Sequence, residues 1–241
     1  MIFLFTDFGQ AAPYVGQVRT VLARAAPQVS VIEMFSDLPA FDPKSTAYLL
    51  PAYSQQAQAG DVVMAVVDPG VGSARACVAL NADGVWFVGP DNGLFALVVR
   101  RAKVCSAWQL DVPTLASATF HGRDVFAPVA ASLALGQRPL AKPIDVKTLD
   151  RPAWPDDFAG VIYIDHYGNA LTGLRVNGLK PGPRLSLGNR TLNQMRTFTD
   201  AAPTEAFIYA NSNGLWEIAV RDGSAAQHLG LSIGSVLVEQ I

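Results

Sequence analysis

Two glycine-containing stretches carry the residue types best suited to chemistry. The first is Asp68-Pro69-Gly70-Val71-Gly72-Ser73-Ala74-Arg75, and the second is Thr119-Phe120-His121-Gly122-Arg123-Asp124. The glycines let a ligand come close to the backbone, and a histidine can move protons near neutral pH. We therefore predict a site built on Asp68, Arg75 and His121. By spacing alone, Arg123 and Asp124 are equal candidates. A turn with a surface ion pair and a capped helix start are the ordinary alternatives for the two stretches.

Three further stretches are candidates for ligand binding. Asp7 directly follows an apolar run, and a carboxylate at the end of a buried strand can accept hydrogen bonds from the vicinal hydroxyls of a ribose. In the stretch 165–169, Asn169 offers a donor and an acceptor for a purine edge, and Tyr167 offers a stacking face. The stretch 211–214 is a turn that could hold a carboxylate. Helix capping and turn chemistry are the alternatives for these residues.

The elements that must position these residues follow from the apolar pattern. Continuous apolar runs predict strands over 1–5, 29–34 and 61–67, and 76–93 reads as a hairpin turning at Asp83-Gly84. Helical spacing predicts helices over 14–25, 43–57 (interrupted at Pro51), 93–101 and 124–136. This alternation predicts an α/β N-terminal domain over 1–140, with a central, mostly parallel sheet flanked by helices.

Residues 137–158 contain four prolines and little apolar periodicity, so we predict a linker over 141–158. Beyond it, short apolar runs alternate with Gly and Asn turns. This pattern predicts a small all-β, barrel-like C-terminal domain over 159–241.

Composition excludes several classes of function. The chain has 241 residues, 50% hydrophobic and 16% charged, with a formal net charge of −2 and no basic stripe, so we expect no nucleic-acid partner. No apolar run is long enough to span a bilayer, so we expect no membrane association. Cys77 and Cys105 read as reduced thiols, which suits a cytoplasmic protein. The three histidines are isolated, so we predict no metal site.

Several motifs together carry a resemblance to a known family. In order, they are TDFG, VVDPGVGSAR, FVGPDNGL, TFHGRDVFAP, YIDHYGN and NSNGLWEIAV. The chain resembles the S-adenosyl-L-methionine (SAM) hydroxide adenosyltransferases, which are relatives of the nucleophilic SAM halogenases. The resemblance implies hydrolysis of SAM to adenosine and L-methionine, without a cofactor. It also implies a homotrimer with sites between subunits.

The resemblance assigns roles to individual residues. It implies that Asp68, Arg75 and His121 handle the nucleophile, that Arg123 and Asp124 are scaffolding, and that Asp7 binds the ribose. The remaining implied substrate-binding residues are Asp165 (methionine amino group), Tyr167 and Asn169 (adenine), Ser212 (methionine carboxylate) and Glu217 (the same pocket).

This chain departs from the family pattern at three places, namely Gln10-Ala11-Ala12-Pro13, Arg19-Thr20 and Thr172-Gly173. Two other functions are open. A SAM-dependent halogenase would have an aromatic residue where Asp68 stands and would lack the histidine. A non-catalytic adenosine- or SAM-binding protein would need Asp7 and Asn169 but would have no use for Asp68, Arg75 and His121 together. The sequence leaves the preferred sulfonium epimer open.

Overall fold

The computed structural model describes residues 1–138, 141–176, 184–188 and 190–240. The chain divides into two compact units, Met1–Pro152 and Ala153–Ile241. Within the described residues, no helix is both long and apolar enough to cross a membrane.

The first unit alternates strands and helices through most of its length, as predicted. Its elements are β1 (Ile2–Thr6), α1 (Tyr14–Ala25), β2 (Val31–Phe35), α2 (Pro43–Tyr53), β3 (Val62–Val66), β4 (Cys77–Ala82), β5 (Val85–Pro90), α3 (Ala96–Arg101), β6 (Cys105–Leu110), α4 (Ala127–Ala134) and β7 (Ala141–Ile144). A π-helix, Gly122–Phe126, leads into α4, and a 3₁₀ helix, Val146–Leu149, follows β7.

The seven strands form one sheet in the order β2-β1-β3-β5-β4-β6-β7. The pairs β1–β2, β1–β3 and β3–β5 are parallel, whereas β4–β5, β4–β6 and β6–β7 are antiparallel. The prediction of a mostly parallel sheet is therefore wrong for half of the strand pairs. The predicted hairpin is the reason: Asp83 and Gly84 both have positive φ, and a two-residue turn of this kind joins antiparallel strands.

Helices cover the parallel half of the sheet, because parallel strands need crossover connections. α1 and α4 pack against each other and onto a core that includes Leu4, Met64 and Phe126. α2 begins at Asp42, whose side chain accepts a hydrogen bond from the Ser45 amide at 3.0 Å. It continues through Pro51 to Tyr53, so the predicted interruption does not occur.

The segment predicted as a linker, 141–158, differs from that prediction in its first part. β7 pairs with β6, and the first compact unit extends to Pro152. Little in the sequence indicated this strand, because it contains Pro143 and a proline argues against a strand in the middle of a sheet. β7 is an edge strand, where a missing N–H is tolerated.

The second unit consists mainly of strands. Its elements are β8 (Phe158–Ile164), β9 (Ala170–Arg175), β10 (Arg184–Leu187), β11 (Arg190–Thr191), β12 (Asn193–Gln194), β13 (Ala206–Ala210), β14 (Leu215–Val220), α5 (Ala225–Leu229) and β15 (Val238–Gln240), with a 3₁₀ helix at Phe198–Asp200.

Two separate sheets make up this unit, in the orders β12-β13-β14-β9-β8 and β11-β10-β15. The prediction of an all-β unit is confirmed apart from the short α5, but the barrel-like description is wrong. Over the described part of the unit the strands form two sheets and not a closed barrel. β10, β11 and β15 pair with one another, and the segment before β15 meets β8 through an isolated bridge between Val236 and Gly160.

Candidate functional site

The carboxyl ends of two neighbouring strands place two acidic residues at one edge of the first sheet. Asp7 follows β1, Asp68 follows β3, and the two strands are parallel and paired. Both residues line a cavity of about 320 Å³ in the first unit. His121 lines the same cavity, so three of the predicted site residues share it.

Asp68, Arg75 and His121 contact one another directly. The Arg75 guanidinium donates from Nε to Asp68 Oδ1 at 2.9 Å and from Nη2 to Asp68 Oδ2. Nη2 also donates to His121 Nδ1 at 3.0 Å. The Asp68 side chain is only 5% exposed and that of Arg75 only 9%, so this is a buried bidentate pair and not the surface ion pair of an ordinary turn.

The hydrogen bond from Arg75 determines the tautomer of His121. A guanidinium can only donate, so Nδ1 accepts and the ring hydrogen sits on Nε2. Burial and then the charge of Arg75 lower the pKa of His121 below its ordinary value of 6.5, although the carboxylates of Asp68 and Asp124 oppose the shift. The ring is therefore neutral at neutral pH and presents an N–H donor.

Arg75 lies behind the other two residues. Asp68 and His121 line the cavity, whereas Arg75 is not among its lining residues. Burial lowers the pKa of Arg75, but the hydrogen bonds and charge of Asp68 outweigh burial and hold its pKa above the ordinary value. The guanidinium is a permanent cation that orients the carboxylate and the imidazole.

Asp7 lines the cavity just after the carboxyl end of β1. Its Oδ2 accepts a hydrogen bond from the Phe41 amide at 3.1 Å. Burial, reinforced by the charge of Asp68, raises the pKa of Asp7 despite the hydrogen bonds from the backbone. Phe41 has a φ of 61°, which is strained for a bulky residue, and its ring is exposed at the cavity. Nothing in the sequence marks Phe41 for this conformation.

Three aromatic rings that the sequence analysis missed form an apolar wall. Phe8, Tyr14 and Phe120 line the cavity and meet edge to face, with ring centroids 5.5 to 5.9 Å apart. The available signal was position, because Phe8 follows Asp7 and Phe120 precedes His121. A wall of this kind limits water in the cavity.

Arg123 and Asp124 support the second loop. Arg123 Nε donates to Asp124 Oδ1 at 2.6 Å, and Asp124 Oδ2 accepts from the Ser117 amide at 2.9 Å. Arg123 Nη1 reaches Gln17 on α1 at 3.0 Å. Neither residue lines the cavity, and both hold the loop to its neighbours.

The second unit brings four of its predicted residues to one cavity of about 700 Å³, which is lined by Asp165, Tyr167, Asn169, Glu217 and other residues including Phe198, Tyr209 and Asp222. Asp165 organises the turn before β9. Its Oδ1 accepts from the Asn169 amide at 2.8 Å, and its Oδ2 accepts from Asn169 Nδ2 at 2.9 Å. The Asn169 side chain is therefore held with its carbonyl oxygen free of Asp165.

Glu217 lines this cavity and is buried. Tyr209 donates its hydroxyl to Oε1, and Asn211 Nδ2 donates to Oε2 at 2.9 Å. Burial raises the pKa of Glu217, with a smaller contribution from the charge of Asp165, and the two hydrogen bonds oppose the shift. Tyr209 was missed from sequence, because nothing local links it to a residue on the next strand.

Ser212 does not line this cavity and lies exposed on the turn that connects β13 and β14. Asn211 shapes the turn, since its Oδ1 accepts from the amides of Asn213 and Leu215, each at 3.0 Å. Among the residues the structure describes, no cluster of three or more His, Cys, Asp or Glu side chains is placed to hold a metal ion.

Comparisons with known proteins find relatives over nearly the whole chain. Residues 2–142 match the SAM hydroxide adenosyltransferase N-terminal domain, and residues 159–238 match its C-terminal domain. An (R)-S-adenosyl-L-methionine hydrolase from Thermus thermophilus is 40% identical, over 97% of this chain and 96% of the relative. A protein of the same name from Salinispora tropica is also 40% identical, over 96% and 94%.

Solved structures show the same fold. An uncharacterized conserved protein from Thermotoga maritima superimposes with a TM-score of 0.87 at 25% identity, covering 98% of both chains. A conserved hypothetical protein from Thermus thermophilus gives a TM-score of 0.79 at 38% identity, covering 99% of both. With both domain models matched over nearly the whole length, the chain belongs to the SAM hydroxide adenosyltransferase family.

Proposed function

We propose that the protein hydrolyses S-adenosyl-L-methionine to adenosine and L-methionine by attack of water at the ribose 5′ carbon. The observation that carries the proposal is the shared cavity of Asp7, Asp68 and His121, with Arg75 bonded behind the last two. The relatives named (R)-S-adenosyl-L-methionine hydrolases support the same reaction and favour the (R) sulfonium epimer.

The chemistry requires little beyond positioning. A bond forms between the water oxygen and the 5′ carbon while the carbon–sulfur bond breaks, and its electron pair neutralises the sulfonium. The leaving thioether needs no proton, so no general acid is required. The water must lose a proton and must lie in line with the carbon–sulfur bond. Alignment of this kind accounts for much of the rate in such a reaction.

Each member of the buried set has a distinct role in this proposal. Asp68 accepts a hydrogen bond, and then the proton, from the attacking water. His121 donates from Nε2 to the water oxygen and fixes its direction. Arg75 does not contact the water, because its donors are engaged by Asp68, His121 and their neighbours. It keeps the carboxylate and the imidazole in place, so we assign it a positioning role.

The rest of the substrate follows the implied assignments. Asp7 is assigned to the ribose hydroxyls, and its position in the same cavity as Asp68 supports this assignment. In the second unit, Asn169 and Tyr167 are assigned to the adenine, and Asp165 and Glu217 to the cationic methionine end, with Ser212 near its carboxylate. Acidic groups suit a substrate that carries a sulfonium and an ammonium.

We also propose that the chain works as a homotrimer. The two sets of proposed substrate-binding residues lie on different units, and each lines a cavity within its own unit. In the proposed assembly, the first unit of one chain and the second unit of a neighbouring chain contribute to one site. The family resemblance supports this arrangement.

A halogenase is the second candidate in the same family of chemistry. A halide nucleophile would have to approach the Asp68 carboxylate, which lines the cavity, and the two anions would repel each other. Asp68 thus favours water over a halide.

Product analysis tests the proposal. The purified protein is incubated with the (R) and (S) epimers of SAM, with and without EDTA, and adenosine and methionine are separated by chromatography. Equal amounts of both products, formed in EDTA, are expected. If neither epimer yields adenosine, the hydrolysis is contradicted, and binding without turnover would indicate a non-catalytic binding protein. Formation of 5′-chloro-5′-deoxyadenosine in the presence of chloride would favour the halogenase.

A further inference from the structure

The Arg75 guanidinium has a partner for each of its N–H groups, and one of those partners is a sulfur. A guanidinium carries five N–H donors. Three go to Asp68 and His121, through Nε and both hydrogens of Nη2. Nη1 donates to Cys77 Sγ at 2.9 Å and to the Ala76 carbonyl oxygen at 3.5 Å. Cys77 Sγ therefore accepts from Nη1, the guanidinium nitrogen that neither Asp68 nor His121 binds.

Cys77 is buried beneath the set and does not line the cavity. It is the first residue of β4, is 1% exposed and forms no disulfide. Burial raises the pKa of the Cys77 thiol, although the charge and hydrogen bond of Arg75 oppose the shift. The side chain is thus a neutral thiol at neutral pH, with one weak acceptor and one weak donor.

The thiol also approaches the histidine. Cys77 Sγ lies 3.8 Å from His121 Nδ1, the same atom that accepts from Arg75 Nη2 at 3.0 Å. Both neighbours of Nδ1 are thus able to donate to it. With Nδ1 held as an acceptor, the ring hydrogen stays on Nε2 of His121, a residue that lines the cavity.

Asp68 and Phe126 constrain the guanidinium on one edge and one face, and neither contact involves a hydrogen bond from Nη1. Asp68 binds the edge formed by Nε and Nη2. The Phe126 ring lies against a face, with its centroid 5.5 Å from Arg75 Cζ. The remaining corner, Nη1, is held by the sulfur and by a long bond to a backbone carbonyl.

We propose that Cys77 is a positioning residue for the hydrolysis. It sets the rotation of the Arg75 guanidinium and, through Arg75, the tautomer of His121 and the orientation of Asp68. This rests on the proposed roles of Asp68 and His121. Without an acceptor at residue 77, the guanidinium rotates away from His121, and the water loses its donor in a fraction of molecules.

Three substitutions separate hydrogen bonding from packing. Cys77→Ser keeps an acceptor and a donor, Cys77→Val fills the space without either, and Cys77→Ala removes both. We expect kcat for SAM to fall about 5- to 10-fold in the Val and Ala variants, with KM within about twofold, and the Ser variant to recover most of kcat. Cys105→Ala, the control at the chain's other cysteine, should match the unsubstituted protein.

The histidine tautomer provides a readout that loss of packing would not change. The protein has three histidines, so ¹⁵N-histidine labelling gives few ring signals, and His121→Gln assigns the one of interest. We expect the Nε2–H tautomer in the unsubstituted and Ser proteins and a mixture of tautomers in the Val variant.

The outcomes distinguish this inference from the proposed function. If Cys77→Val retains full kcat, or if Ser falls as far as Val, Cys77 does not position Arg75. Asp68→Ala is measured in parallel: if it abolishes turnover while the Cys77 variants are normal, only the role of Cys77 is wrong. If Asp68→Ala turns over normally, the proposed site itself is wrong. Thermal unfolding of each variant confirms that the fold is intact.

Discussion

Asp68 has two oxygens, and each accepts a hydrogen bond from Arg75 while retaining a second lone pair for the cavity. In the proposed mechanism this carboxylate takes the proton of the attacking water. The prediction is that Asp68→Ala lowers kcat about 10²- to 10⁴-fold, the usual contribution of proton transfer by a positioned side chain. Single-turnover assays with SAM would measure the loss, and adenosine affinity by calorimetry should change little.

Asp111→Ala, at an exposed aspartate outside the cavity, is the matched control for that measurement. Weak adenosine binding in Asp68→Ala, with turnover retained, would reverse the assignment. In that case the carboxylate would bind substrate and not the water.

Protonation of His121 predicts that kcat falls at acid pH. Its pKa is lowered by burial and by Arg75, so the ring is neutral above the ordinary value of 6.5. As pH falls through the lowered pKa, Nδ1 gains a hydrogen, its bond from Arg75 is lost, and kcat falls. We expect kcat to be level from neutral pH upward and to decline only below about 6.5.

A glutamine at residue 121 separates His121 from other acid-titrating groups. Its amide is a neutral mimic that can accept from Arg75 and donate to water. We expect His121→Gln to retain part of kcat and to move the acidic decline to lower pH, whereas His166→Gln should leave the profile unchanged. An unaltered acidic decline in His121→Gln would assign it to another group.

The loop that carries Asp68 and the loop that carries His121 come together where the backbone of Gly72 packs against the backbone of Ala118. Gly72 has a φ of 78°, and a Cβ there would lie 2.5 Å from the Ala118 carbonyl oxygen. We expect Gly72→Ala to lower the unfolding free energy by about 2 to 4 kcal/mol and to lower kcat, because the backbone of one loop must move. Urea unfolding and the SAM assay would measure both effects.

Gly136→Ala is the matched control, since Gly136 has a φ of 77° but nothing within 4 Å of its Cβ position. Gly136→Ala should lower the unfolding free energy only by about 1 to 2 kcal/mol, the cost of a left-handed backbone conformation in a residue with a Cβ, and its kcat should be normal. Equal losses in the two variants would mean that the contact with Ala118 contributes nothing.

Glu217 links two strands and a turn, and its burial makes its contribution to stability depend on pH. Its folded-state pKa is raised above the ordinary 4.5, mainly by burial. Its favourable contribution is therefore complete below pH 4.5, where the group is protonated in both states, and is lost as pH rises through the raised pKa. We expect Glu217→Gln to gain in unfolding free energy, relative to the unsubstituted protein, between pH 4.5 and 7.

Urea unfolding at the two pH values would measure that difference. Glu205→Gln, at a glutamate on the surface of the same unit, should show no such gain. If Glu217→Gln instead loses unfolding free energy relative to the unsubstituted protein between pH 4.5 and 7, the assignment of a raised pKa is contradicted. In the SAM assay, the same variant should raise KM more than it lowers kcat.

At the scale of the whole molecule, a site shared between subunits would allow two inactive variants to complement each other. Asp68→Ala disables the first unit, and Asn169→Ala disables the second. If each site takes its two halves from neighbouring chains, refolded mixtures should regain about a quarter of the unsubstituted activity, because random assembly restores that share of sites. Light scattering should give the mass of three chains.

Each variant refolded alone is the control, and neither should gain activity. Sites formed within one chain would give no recovery in the mixture. A monomeric mass would overturn the trimer and leave the hydrolysis untouched.

The sequence alone was enough to predict what depends on local pattern. Apolar runs that end near Asp7 and Asp68 predicted two strands with acidic residues at their carboxyl ends, and both strands are present. The Asp83-Gly84 turn predicted the hairpin, because φ preferences act over two residues. The motifs also identified the family, which both domain models confirm.

Only the tertiary structure decided how these residues act on one another. Arg75 and His121 are 46 residues apart, and their contact settles which ring nitrogen carries hydrogen. The same folding buries Cys77 beneath them and places β7 at a sheet edge that tolerates Pro143. These properties arise from donors, acceptors and burial that distant segments supply, so local periodicity carries no signal for them. What began as three polar residues on two loops became an ordered set, with Asp68 and His121 facing the cavity and Arg75 held behind them.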